Sequence, residues 1–469
     1  MAPSTPHQLS DGDAVFLSME TARSSGHVGA LMVLDPSTAP EGFDFDRVVE
    51  HVTARVGLIP RFGWKVQEVP LGLDRPYWVE DPDFEIRDHV IRTAIPAPGT
   101  RRELNALAAR LHAQPLDPTR PLWQVWCIEG LEGGKFALYM KTHHCLVDGS
   151  GGAGLSEVLA DLSPRSEGPI AGADAYQEAA PVAPRRFDVL TRAVRNGIDR
   201  RVKTVGHARR GLASLWRGSR EEREGAVGDV PVLPFNDVVS RDRVLGTAVL
   251  DLERVRSLKK RFDVTVNDVV LALSGSAVRR WLRERDALPA DAAVAMCPVS
   301  TRGDARGLGN EISSMSVSLA TDIADPVARL RAIHASSIVA KETVEAGSFD
   351  VLAAVGECMA PALARLALMG AESAPTAVPL PGNFVVSNVR SAPMPLYLAG
   401  ARIETMIPLS LLQAGMGLNV TVISYCDRID VGIVADPQLV PDVQELASDF
   451  ERALDELELA AEGVAHRAA

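Results

Sequence analysis

Two series of alternating strand and helix signals, kept apart by a long stretch that has neither, limit this chain's fold more than any other feature. The first series closes near residue 160 and the second opens near residue 243. Alternation of this kind predicts sheets covered by helices, which is an α/β fold. At 469 residues the chain is too long for one ordinary core, so each series is expected to build its own. The expected organisation is an N-terminal subdomain over 1–165, a linker with a basic crossover helix over 166–242, and a C-terminal subdomain over 243–469.

In the first series, residues 27–34 and 77–80 read as strands and 46–55 as a helix. A second helix is expected over 101–112, where Leu104, Leu107, Ala108 and Leu111 share one face. A hairpin follows, with strands at 123–128 and 136–142 around a turn carrying Gly133 and Gly134. Beyond it, Leu155, Val158, Leu159 and Leu162 fall at helical spacing. Residues 163–184, rich in Pro, Gly and Ala, read as a linker. Residues 185–220 then carry eleven arginines or lysines against two aspartates, with an apolar stripe at Leu190, Val194, Ile198, Val202 and Val205. In a chain of net charge −12, such a basic amphipathic helix suits an anionic lipid surface. The other reading is a solvated crossover helix whose stripe packs on the body. The second series has strands at 244–252, 293–298, 313–319 and 382–387 and helices at 253–262, 266–283 and 440–456. A hairpin of 418–425 and 429–435 precedes the last helix.

The first hairpin leads into His143-His144-Cys145-Leu146-Val147-Asp148-Gly149, expected to form a strand-to-helix loop. A histidine near its ordinary pKa can take a proton from a hydroxyl and later return it. Neighbours on an extended strand point to opposite sides, so the two rings should have unequal roles. The expected assignment makes His144 the general base and has His143 hydrogen-bond inward to fix its neighbour. Asp148, held by an arginine or by backbone amides, and Gly149, free to take positive φ, would set the loop geometry. Rival readings are a metal site and a packed pair of core histidines. The metal reading lacks a His-Glu-x-x-His helix and a second histidine cluster, so no metal is expected.

Four other segments place polar groups at element ends. Thr265-Val266-Asn267-Asp268 reads as a capping box opening an apolar helix, or as a donor site where Asn267 or the helix terminus faces the chemistry. Arg120-Pro121-Leu122-Trp123 opens a hairpin strand, with Leu122 and Trp123 as core anchors. Pro298-Val299-Ser300-Thr301-Arg302 and Ser387-Asn388-Val389-Arg390 are strand ends. Each could set an arginine against Asp148 or a hydroxyl near a developing oxyanion, and each could be a plain turn. The acidic balance argues against nucleic-acid partners, which need a basic face. Cys127, Cys145, Cys297, Cys358 and Cys426 show no paired spacing, so reduced thiols and a cytoplasmic location are expected. No signal-peptide pattern opens the chain, and no run reaches the roughly 18 apolar residues that a membrane span needs.

Together these residues resemble the bacterial wax ester synthase/acyl-CoA:diacylglycerol acyltransferase family, within the superfamily of chloramphenicol acetyltransferase-like and condensation-domain folds. The resemblance starts at Leu9-Ser10, Asp13-Ala14-Val15-Phe16-Leu17, Glu20 and His27-Val28-Gly29. It passes through Trp78-Val79, Asp81-Pro82, Phe84, Pro121-Leu122-Trp123 and the histidine motif. It continues through Asn267-Asp268, Pro298-Val299-Ser300, Gly309-Asn310, Ser387-Asn388-Val389 and Leu418-Asn419. The histidine motif alone marks the superfamily, while the Pro-Leu-Trp and Asn-Asp elements, in order, point to the narrower family.

The resemblance implies two chloramphenicol acetyltransferase-like subdomains with mixed sheets and a tunnel through their interface. It implies transfer of a fatty acyl group from acyl-CoA, a substrate and not a cofactor, to diacylglycerol, a long-chain alcohol, or both. His144 would take the proton of the acceptor hydroxyl, with no covalent enzyme intermediate, and no Gly-x-Ser-x-Gly elbow is present to form one. Asn267, Ser387 and Asn388 are candidate donors to the oxyanion, with Asp268 and Trp123 as candidate supports. An acyltransferase for a polyketide or other secondary-metabolite hydroxyl is one alternative. A non-catalytic lipid-surface protein is another. The implied location is cytoplasmic, peripheral on the inner membrane face or on lipid droplets.

Overall fold

The computed structural model describes residues 6–146, 158–165, 181–185, 188–198, 200, 227–300, 312–345, 359–374 and 380–468. The chain begins with β1 (His7–Gln8), α1 (Asp11–Ser18), β2 (His27–Asp35), α2 (Phe45–Val56), β3 (Trp64–Gln67) and β4 (Tyr77–Glu80). It continues with α3 (Ile86–His89), β5 (Val90–Ala94), α4 (Arg101–Ala113), β6 (Trp123–Glu129) and β7 (Phe136–His143). Helix α5 spans 188–198. Next come β8 (Val244–Asp251), α6 (Leu252–Phe262), α7 (Val266–Arg283), β9 (Val294–Ser300), β10 (Ile312–Ser318), α8 (Pro326–Glu345) and α9 (Pro361–Ser373). The last elements are β11 (Phe384–Arg390), β12 (Tyr397–Leu398), β13 (Ala401–Leu409), β14 (Leu418–Tyr425), β15 (Arg428–Ala435) and α10 (Val443–Ala468).

Two six-stranded sheets organise these elements, in the orders β12-β13-β2-β7-β6-β5 and β10-β9-β11-β14-β15-β8. Both are mixed, as expected: β5–β6, β9–β11 and β11–β14 are parallel pairs, and the other neighbours are antiparallel. In the first sheet β7 is buried on both faces. Leu138 and Met140 join Trp123, Val125 and the α2 residues Val48 and Val52, while Ala137 and Tyr139 meet Leu104, Leu107 and Leu111 of α4. A side-chain period of two lets one strand serve two cores. Helix α4 starts where it does because Thr100 and Glu103 form a capping box, the Glu103 Oε2 accepting the Thr100 N–H at 2.9 Å. The second sheet is covered by α7, α8 and α10, whose Val269, Leu273, Leu330, Leu446 and Phe450 share a core with Val420 and Val431.

Strand β13 is hidden from a pattern reading. Its alternation breaks at Glu404, where pairing with β2 shifts register, and Pro408 interrupts it again. It leaves the C-terminal half and pairs antiparallel with β2, from Arg402 opposite Asp35 to Leu409 opposite Gly29. The first sheet is therefore completed by chain from the second half. The two sheets meet closely there. A Cβ on Gly432 of β15 would come 1.9 Å from the Pro408 carbonyl oxygen, so only glycine fits. Helix α8 also escaped the sequence pattern, because small residues such as Ser336, Ser337 and Ala340 take buried positions on it. The helix expected around Leu155–Leu162 lies mostly outside the described residues, and its described part ends at Leu159.

Asp430 of β15 sits at the sheet junction, fully buried, with Oδ2 accepting the Met406 N–H at 2.8 Å. Burial pushes its carboxyl up to about 6, against the pull of that N–H and of Arg428 and Arg101. An unfolded aspartate titrates at about 3.9. The folded state thus keeps its proton to higher pH, and the stability this confers is full below about 3.9 and lost as pH rises through about 6. Between pH 7.5 and pH 5, wild type should gain roughly 1–2 kcal/mol relative to Asp430→Asn. Urea midpoints of both proteins at the two pH values measure this, and equal pH responses would contradict it.

Candidate active site

Strand β7 delivers the histidine pair. Its last residue, His143, stands opposite His27 of β2, and the His144 N–H donates to the Gly26 carbonyl at 2.8 Å. The Leu146 N–H donates to the His143 carbonyl at 3.0 Å, so the chain turns at once. With β7 ending at His143, His144 is the first residue of the turn, and the two rings have different surroundings. His143 is fully buried. His144 is half-buried and lies flat on Phe16 of α1, with ring centroids 3.9 Å apart and planes inclined by 9°. Asp148 and Gly149 lie outside the described residues.

His143 is held from several sides. Its Nδ1 accepts the Cys145 N–H at 3.1 Å, so in the neutral ring the proton sits on Nε2. That Nε2 lies 3.3 Å from Glu20 Oε1, and the same oxygen accepts the Gly26 N–H at 3.4 Å. Burial works to raise the Glu20 carboxyl, but the close approach of His143, the Gly26 N–H and Arg365 bring it below its ordinary value. An anion therefore faces His143 at neutral pH. Gly26 closes the remaining side, where a Cβ would stand 2.4 Å from His143 Nε2 and 2.8 Å from the Phe16 carbonyl oxygen.

Behind the pair lie two neutral histidines. His27 Nε2 donates to the His112 carbonyl at 2.6 Å. His112 Nε2 donates to the Ser410 carbonyl at 3.0 Å, which leaves its Nδ1 to accept from the Tyr139 hydroxyl at 2.7 Å. Burial drives His112 down to about 3 and His27 well below its ordinary range. Lys141 Nζ caps the end of α4, donating to the Leu111 and Gln114 carbonyls at 3.0 Å each. Burial holds the Cys145 thiol far above its usual range, so it stays protonated and is a poor nucleophile. His27, His112 and His143 are all buried, while His144 keeps part of its ring open.

The other sequence candidates fall into separate places. Trp123 is fully buried, stacked between Phe62 and His89, with Nε1 donating to the Phe62 carbonyl at 2.8 Å. It underlies the hairpin that carries the histidines. Thr265 and Asp268 form the capping box read from the sequence, and Asp268 Oδ2 also accepts from His334 Nδ1 at 2.9 Å. Asn267 is half-buried in the first turn of α7. Ser387 and Asn388 are half-buried on β11, opposite Thr421 and Val422 of β14. Thr301 and Arg302 lie outside the described residues. No motif in the sequence assigns Phe16 or Glu20 a role. Their contact with the histidines depends on where α1 lands, and no local spacing rule reports that.

The wax ester synthase/diacylglycerol acyltransferase catalytic domain matches residues 9–270, and the C-terminal domain of the same family matches residues 308–458. A Mycobacterium tuberculosis H37Rv protein provisionally named a diacylglycerol O-acyltransferase is 36% identical over 463 residues, covering 96% of this chain and 90% of its own. A similarly named Mycobacterium bovis protein is 35% identical over 457 residues, covering 97% and 99%. The solved wax ester synthase/diacylglycerol acyltransferase of Marinobacter aquaeolei VT8 superposes with a TM-score of 0.70 at 27% identity, covering 97% of this chain and all of that one. The first condensation domain of the calcium-dependent antibiotic synthetase shares the fold, with a TM-score of 0.56 at 17% identity over 98% and 97% of the two chains.

Proposed function

Because the chain belongs to the wax ester synthase/diacylglycerol acyltransferase family, we propose that it moves a fatty acyl group from acyl-CoA to diacylglycerol, a long-chain alcohol, or both, with His144 as general base. The observation that carries this reading is the unequal pair, His144 half-buried on Phe16 and His143 enclosed against Glu20. The acceptor oxygen attacks the thioester carbon while His144 takes its proton. A C–O bond forms, the C–S bond breaks from a tetrahedral intermediate, and the proton passes from His144 to the departing sulfur. An ester and free CoA result, and the ring returns to its starting state.

The carbonyl oxygen gains charge during attack and needs donors. Asn267 on α7 and Ser387 and Asn388 on β11 are proposed for that role. Asp268 supports Asn267 by holding the start of α7, and Trp123 supports the strand behind the histidines. Asp148 and Gly149 are proposed to set the turn after His144. A tunnel between the two halves would bring thioester and alcohol to the ring. Purified protein given palmitoyl-CoA with either dioleoylglycerol or hexadecanol should release free CoA with at least one of them. Release with neither, but with a polyketide alcohol, would move the activity to another acceptor class.

A lipid surface is the proposed docking partner, and α5 supports it. Val189 and Ala193 pack on Val69 and Tyr77, whereas Leu190, Val194 and Ile198 point outward, Val194 being 69% exposed. The stripe read from the sequence is thus turned away from the body over the described residues. Leu71 beside this helix is 84% exposed, and α9, which touches the same loop at Gly72, presents Leu363, Leu366 and Met369. Arg192 and Arg195 add positive charge on α5. Apolar insertion with basic flanks is how peripheral helices hold anionic bilayers. No described helix is long and apolar enough to cross a membrane. Replacing Leu190, Val194 and Ile198 by serine should weaken flotation with phosphatidylglycerol vesicles by about tenfold or more. Unchanged flotation would contradict the docking surface.

A further inference from the structure

Four arginines and two glutamates line one cleft in the C-terminal half. The cleft, of about 390 Å³, lies where the last turns of α7 meet the start of α8 and the side of α10. Arg279, Arg280, Arg283 and Arg329 line it, together with Glu456 and Glu284. Glu456 is taken by an ion pair with Arg280, whose Nε is also 3.6 Å from Asp449. Glu284 lies 3.9 Å from Arg285. Among the described residues, no carboxylate forms an ion pair with Arg279, Arg283 or Arg329.

Arg329 is the most telling of the three, because it is only 3% exposed. Its Nη1 donates to the Ile323 carbonyl at 2.6 Å and its Nη2 to Ser276 Oγ at 3.0 Å. Its Nε has no acceptor. Arg279 likewise donates to a carbonyl, that of Thr321. Carbonyls and a hydroxyl satisfy N–H groups, but they bring no compensating charge. Burial and then the Arg279 cation lower the Arg329 guanidinium from its ordinary value, and burial and then Arg283 do the same to Arg279. Glu456 and Asp325 act on Arg329 and Asp322 on Arg279 without overcoming these effects. A buried cation with no direct ion pair is costly, so such a cluster suits an added anion.

We propose that this cleft binds a phosphate or pyrophosphate group. Guanidinium forks match phosphate oxygens in pairs, and three forks from two helices suit a multiply charged oxyanion better than a single carboxylate. The volume accepts a pyrophosphate or the phosphate end of a larger molecule. The site is separate from the acyl-transfer residues: Arg279 lies about 18 Å along α7 from Asn267. The inference therefore stands apart from the proposed reaction.

Titration calorimetry of the full chain with inorganic pyrophosphate tests it. The expected result is one saturable site with Kd below about 1 mM near 0.1 M salt. Arg283→Glu and Arg279→Gln should each weaken it by about tenfold or more, while Arg256→Gln on α6 leaves it unchanged. Arg283 is exposed, so its variant should fold whatever Arg329 contributes. Competition with coenzyme A then separates the sources. Displacement of pyrophosphate assigns the site to the phosphates of the coenzyme, and retention assigns it to a free phosphate-bearing effector. No saturable binding at millimolar pyrophosphate, or equal binding in both arginine variants and wild type, would overturn the proposal.

Discussion

Alanine at His144 should lower acyl-transfer turnover by about 10²- to 10⁴-fold and leave the fold intact. The size follows from losing the group that takes and returns the proton. The intact fold follows from the partial exposure of this residue. Its ring is half-buried and rests on Phe16, and the backbone N–H that binds Gly26 is unaffected by the substitution. An aromatic stack of this kind contributes only about 0.5–1.5 kcal/mol. Far-ultraviolet circular dichroism and a urea midpoint near wild type, with CoA release nearly gone, is the expected pair of readings. Full activity in a folded His144→Ala protein would remove His144 from the chemistry. Alanine at His143 would not discriminate as well, because a fully buried ring leaves a cavity and costs stability in addition.

Alanine at Gly26 should be the next most damaging small change. The new methyl would meet His143 Nε2 at 2.4 Å and the Phe16 carbonyl oxygen at 2.8 Å. The ring can yield only by leaving Glu20, and the carbonyl can yield only by moving the helix on which His144 rests. Both histidines would shift. A displacement of about 1 Å in a catalytic group commonly costs around 100-fold in rate, and overpacking of this kind costs about 1–3 kcal/mol. We expect turnover to fall by about 10- to 100-fold with a measurable drop in the urea midpoint. Steady-state kinetics beside denaturation checks this, and wild-type turnover in Gly26→Ala would contradict the packing described for the site.

Much of this arrangement was legible in the sequence, for physical reasons that can be named. The hairpin of β6 and β7 announces itself by apolar runs around a Gly-Gly turn, and the histidines differ because β7 ends at the first and the chain turns at the second. The capping box of Thr265 and Asp268 is equally local, and it formed as read. Contacts set by tertiary placement were not legible. Glu20 reaches His143 because α1 and the loop after it fold over the end of β7. Asp268 gains His334 from a distant helix, beyond the reach of any capping rule. Strand β13 was missed because a bulge at Glu404 and a proline at 408 erase its period, although it joins the two halves. The sequence of the basic segment allows two outcomes. Over the described residues its stripe faces outward, with Val189 and Ala193 taking the packed positions instead.

The proposed proton carrier, just beyond β7, and the family of lipid acyltransferases meet in a single proposed reaction. The most direct test follows carbon and sulfur together. Wild-type protein is given palmitoyl-CoA labelled in the acyl chain, with dioleoylglycerol and hexadecanol in parallel, and both the labelled lipid and the free thiol are measured. The expected result is label in triacylglycerol or wax ester, matched mole for mole by free CoA and absent with His144→Ala. Free thiol with label appearing only in fatty acid, or no thiol release with either alcohol, would contradict it.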